Sequence, residues 1–85
     1  MATPDAGIAA VAAARIVAET AWAEYARAGK SHRLARSLRR SDDEIARAAH
    51  IEAYAFLAAR AADERVSVAL DTLDDTAARN MSATA

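Results

Sequence analysis

The chain has 85 residues, 11 Lys and Arg against 12 Asp and Glu, and no cysteine. The near-neutral balance excludes the strong positive field of a general nucleic-acid binder, and the lack of thiols excludes a disulfide framework, a thiolate metal site and a cysteine nucleophile. The hydrophobic share is 54 %, yet aromatics make up only 5 % and alanine supplies most of the rest, so any core must be built from small side chains on closely approaching backbones.

A chain this short reads as one domain over residues 1–85, whose core would supply only a few kcal/mol, on the order of 3–5. Helix packing or self-association has to supply what is missing. In chain order, Thr3-Pro4-Asp5 reads as an N-cap, a proline at the first helical position and an acid in the first turn. The first predicted helix covers 4–28, with Gly7 a weak point and Gly29 a left-handed stop. Ile8, Val11, Trp22 and Tyr25 fall on one face of it, with Ala18 among them. Arg15 and Glu19 lie in the same stripe four residues apart, the spacing of an intrahelical ion pair at the seam edge.

Gly29-Lys30-Ser31 reads as a connector in which Ser31 caps a short helix over 32–39, anchored by Leu34 and Leu38. Ser41-Asp42-Asp43-Glu44 then forms a capping box: the Ser41 hydroxyl accepts the amide of Glu44 and the Glu44 carboxylate reaches back to the amide of Ser41. No Gly or Pro follows, so a long helix is predicted over 42–79. Ile45, Ala48, Ala55, Phe56, Ala59, Ala62, Val66, Ala69, Leu70 and Leu73 gather on one side of it, with Ile51 at the margin and Arg47, Arg60, Glu64, Asp71 and Asp75 elsewhere. Glu52 and Asp63 border the stripe, where a carboxylate could meet Arg15. Tyr54, Leu57 and Val68 lie outside the stripe, and these three are assigned to a dimer face. The last residues, from Ser82, are expected to fray.

The fold class that follows is all-α: an antiparallel helical hairpin with a short connecting helix, dimerising into a four-helix bundle. Arg27, Lys30, His32, Arg33, Arg36, Arg39 and Arg40 form a run without an intervening acid. Arg27, Lys30, Arg33, Arg36, Arg39 and Arg40 are therefore candidates to bind an acidic partner, or alternatively a nucleic acid or phosphate ligand through segment 27–40. No aromatic interrupts the run, so a stacking platform for single strands is absent. Asp71, Asp74 and Asp75 make the far end of the long helix acidic, with Asp5 nearby in a hairpin. Two hairpins packed head to tail would bring each basic turn to the other's acidic end, which predicts an antiparallel homodimer.

Residues 42–59 resemble a helix-turn-helix DNA-binding unit at Ile45, Ala46, Ala49, Ile51 and Phe56. The resemblance implies a turn near His50, which stands where that motif commonly has glycine. It makes Ala53 to Arg60 the recognition helix, a segment with almost nothing to hydrogen-bond base edges. Neither His32 nor His50 has a glutamate three residues before it, as a di-metal bundle would require, and no glycine-rich phosphate loop or Ser-His-Asp order is present. No catalytic group, cofactor or metal is therefore assigned. The expected role is a non-catalytic protein–protein interaction module, structural, adaptor or regulatory, acting as a homodimer or within a larger assembly. No uninterrupted apolar run approaches the ~20 residues of a membrane span, and residues 8–17 lack the basic flank of a signal peptide. The expected location is cytoplasmic.

Overall fold

The structure, a computed structural model, describes residues 4–83, so the expectations for the Thr3 cap and the last two residues lie outside it. Two helices account for it: α1 over Pro4–Ser37 and α2 over Asp42–Ala83. They lie side by side as one rod with extents of 67 × 16 × 14 Å, matching the roughly 63 Å that a 42-residue helix spans at 1.5 Å per residue. The hairpin expected from the sequence is present.

Its connection differs from expectation. Gly29 does not stop α1, and there is no separate helix over 32–39: α1 runs through Gly29 with an ordinary helical backbone and ends at Ser37. The stop is made by Arg39, which takes the left-handed conformation at φ 53°. The Arg40 amide donates to the Ala35 carbonyl (3.0 Å) and the Arg39 amide to the Arg36 carbonyl (3.1 Å). That pair of bonds is the Schellman arrangement, which satisfies carbonyls a helix end would otherwise leave unpaired. Two residues on, the Glu44 amide donates to Ser41 Oγ at 3.2 Å and starts α2. Only this half of the capping box forms, because the Glu44 carboxylate turns to Arg40 Nε at 4.0 Å.

The seam between the helices has a seven-residue rhythm. Along α1 the seam positions are Gly7, Val11, Ala14, Ala18, Ala21, Tyr25, Ala28, His32 and Ala35, and along α2 Ile45, Ala48, Glu52, Ala55, Ala59, Ala62, Val66, Ala69, Leu73 and Thr76, all less exposed than their neighbours apart from Trp22, Gly29 and Ala49, which are covered beside the seam. Steps alternating between three and four residues place one narrow stripe of each helix against the other, as in an antiparallel coiled coil. Val11, Ala18, Ala59 and Ala62 are the buried apolar side chains, so the core is thin and mostly methyl groups.

Both described glycines serve this close approach. A Cβ on Gly7 would fall 2.7 Å from Leu73 Cδ1, and one on Gly29 would fall 2.6 Å from Glu52 Oε2. Gly29 is thus a packing residue, whose missing side chain admits the facing helix. Leu34 and Leu38, expected as anchors, remain 57 % and 56 % exposed. With α1 unbroken, the positions facing α2 at this level are His32 and Ala35. Ile8 likewise lies beside the seam, 57 % exposed.

Candidate interaction surface

Polar contacts cross the seam at Trp22 and at His32. Trp22 Nε1 donates to both carboxylate oxygens of Asp63 at 3.1 Å, and His32 Nδ1 stands 3.1 Å from Glu52 Oε1. Neither carboxylate meets Arg15, and Arg15 and Glu19, both exposed, form no ion pair among the described residues. Around Trp22, the rings of Tyr25 and Phe56 stack edge-on or tilted with centroids 5.4–6.1 Å apart, contacts worth about 0.5–1.5 kcal/mol each beyond area burial. The Arg60 guanidinium covers Phe56 at 5.9 Å. These residues, with Ile8, Gly29 and Leu70, make one flank of the rod, where Trp22 and Phe56 each meet a polar group of the chain itself and Phe56 remains 37 % exposed.

The other flank is left open. It is formed by Ala10 and Val17 of α1 and by Ile51, Tyr54, Ala58, Ala61 and Val68 of α2, positions that share a side by the 100° helical step. Ile51 is 55 %, Tyr54 65 % and Val68 63 % exposed. An open groove of about 480 Å³ runs along it, floored by Ala14 and Ala69 and walled by Val68, Ala61 and the Glu64–Arg65 pair. The Tyr54 ring meets the ring of His50, one turn back on its own helix, with centroids 4.9 Å apart.

Of the three residues assigned to a dimer face, Tyr54 and Val68 share this flank. Leu57, 63 % exposed, stands further round on the outer ridge of α2, in a second depression lined also by Phe56, Arg60, Ala61 and Glu64, and so borders the flank at Ala61. Arg27, Lys30, Arg33, Arg36, Arg39 and Arg40 are all exposed, and they do not converge. Continuation of α1 to Ser37 makes each three-residue step from Arg27 to Arg36 retreat about 60° around the helix, so the four side chains wind half-way round it over roughly 13 Å. Arg40 is engaged by Glu44. The helix-turn-helix resemblance is overturned, because α2 passes His50 without a turn.

Residues 6–23 of α1 have a mean hydropathy of 1.3, long and apolar enough by length and composition to cross a membrane. The sequence expectation counted uninterrupted apolar runs and so passed over this stretch. Alanine and four β-branched residues, Ile8, Val11, Ile16 and Val17, supply its hydropathy, and Arg15, at its middle, would cost about 2.5–3.5 kcal/mol at a bilayer centre.

The total accessible surface is 6607 Å², against about 4,900 Å² for a compact chain of 9.0 kDa. The excess, about 1,700 Å², reflects a rod only two helices thick. Comparison with known proteins gives no match: neither a family model nor a curated protein nor a solved structure is similar to the chain.

Proposed function

We propose that this protein is a non-catalytic α-helical association module, structural, adaptor or regulatory, whose open flank is covered by further helices in a four-helix arrangement. The observation that carries this reading is the second apolar stripe of α2, Ile51, Tyr54 and Val68, each more than half exposed on a hairpin that already uses its other stripe for its own seam. An alanine seam with four buried side chains stabilises an isolated hairpin weakly, since each buried methylene or methyl contributes only about 0.8 kcal/mol. Helices laid on the open flank would bury the exposed stripe and thicken the core. The arginine-rich turn serves in this reading as the charged end of the module, displayed to a partner.

The test is thermal unfolding followed by circular dichroism from about 1 to 100 µM protein, with mass measured by sedimentation. A midpoint that rises with concentration supports association, because a partner that binds only the folded chain stabilises it by mass action. Incomplete helicity in the isolated chain supports association with a different partner. A fully helical monomer with a concentration-independent midpoint overturns the reading.

A further inference from the structure

The open flank of α2 has a symmetry that names its occupant. The seam of α2 runs from Ile45 to Thr76, and its midpoint falls between Arg60 and Ala61. Seven residues to either side of Ala61 stand Tyr54 and Val68, and fourteen to either side stand Arg47 and Asp75. Steps of seven are the rhythm of the seam itself, so all five residues keep one bearing relative to it as the helices wrap, and all five are exposed. An aromatic faces an aliphatic, and a cation faces an anion, across a small central residue.

Resting on the association reading above, we propose that the occupant is a second copy of this chain. It lies antiparallel on the flank of Tyr54, Ala61 and Val68, with the two-fold axis passing through Ala61. The operation sets Arg47 against Asp75 of the second copy, Tyr54 against its Val68, and Ala61 against its Ala61. The Arg47–Asp75 and Tyr54–Val68 contacts each occur twice and the Ala61 contact once, on the axis, as a two-fold interface requires. Because the axis lies at mid-seam, the rods overlap over their full length, and the small side chain at the axis admits close approach. On α1 the same axis, level with Thr20, sets Arg27 opposite Ala13, with no charge facing its like. A parallel arrangement would instead gather both arginine-rich turns at one end.

The area fits. The rod carries about 1,700 Å² more surface than a compact chain of its mass, which exceeds the roughly 800 Å² per partner that a standard interface buries. The middle of the opposite flank is partly occupied by the chain's own polar groups, with Arg60 over Phe56 and Asp63 bonded to Trp22; Ile8, 57 % exposed, lies towards its end.

The chain contains no cysteine, which makes a single introduced thiol a clean reporter. Ala61→Cys should cross-link to a covalent dimer with a bis-maleimide of about 8 Å reach, matched to helix axes 8–10 Å apart. Ala53→Cys, exposed on the opposite flank, should not. Arg47→Asp or Asp75→Arg alone should raise the dimer dissociation constant on the order of tenfold, and the two together should restore it. A dimer that cross-links through Ala53→Cys and not Ala61→Cys overturns the assigned interface and leaves the association reading standing. So does a poorly helical monomer at 100 µM, which points to a different protein as occupant. A fully helical monomer at that concentration overturns both.

Discussion

Gly29→Ala separates a glycine that ends a helix from one that admits a neighbour. In a helix interior, glycine is about 0.8–1.0 kcal/mol less favourable than alanine, so the substitution begins with that gain. Against it, the new Cβ would lie 2.6 Å from Glu52 Oε2 and 3.3 Å from Arg33 Nη1. The Glu52 carboxylate must withdraw by roughly 1 Å to reach van der Waals separation, and its other oxygen is the one 3.1 Å from His32 Nδ1. Losing that bond costs about 0.5–1.5 kcal/mol. The two effects nearly cancel, and Gly29→Ala should leave stability within about 0.5 kcal/mol of the parent. With Glu52→Ala already in place there is no carboxylate to displace, and the same substitution should stabilise by about 1 kcal/mol, some 4–8 °C in Tm. The assay is a double-mutant cycle from denaturant unfolding at one fixed protein concentration, with an expected coupling of about 1 kcal/mol. Equal effects in the two backgrounds would refute the close approach of α2 at Gly29. A loss of helix content in Gly29→Ala would refute the continuous helix itself.

Two further outcomes test the frame. Arg39 holds a left-handed conformation that costs a non-glycine residue roughly 1–2 kcal/mol; after allowance for glycine's freer unfolded chain, Arg39→Gly should stabilise by about 0.5–1 kcal/mol. A drop in Tm would show that the turn is not built around that residue. Ala59, fully buried, has no room for a larger side chain, so Ala59→Leu should destabilise by about 1–3 kcal/mol, while Ala53→Leu on the exposed surface should change stability by less than about 0.5 kcal/mol; a neutral Ala59→Leu would mean the helices are not in close contact there.

The parts of this fold legible in the sequence were those written in local chemistry. Ser41 and the acids after it mark the start of α2, and the stripe through Ala55, Ala59, Ala62 and Val66 marks its inner face, because capping and helical periodicity act within a few residues. The end of α1 was not legible. A glycine followed by Lys-Ser carries the signature of a stop, and only the position of Glu52 on the facing helix tells that this one is a clearance. Leu34 and Leu38 were misplaced for the same reason: once α1 continues, its phase turns them outward. Of the residues in the proposed interface, Tyr54 and Val68 could be found as apolar residues off the main stripe, whereas Arg47 and Asp75 read as ordinary surface charges. A search for complementary residues at sevenfold spacing around the helix midpoint would have picked them out.

The alanine seam also governs how this molecule can be mapped by mutation. Replacement by alanine, the usual way to find the residues that hold an interface, is silent at Ala14, Ala18, Ala55, Ala59, Ala61 and Ala62, where the native side chain is already the replacement. Here the informative series runs in the other direction, with bulk added one position at a time and the helices forced apart wherever they touch. Tolerance to enlargement, read along the two helices, would trace the seam within the hairpin and test the one proposed between hairpins.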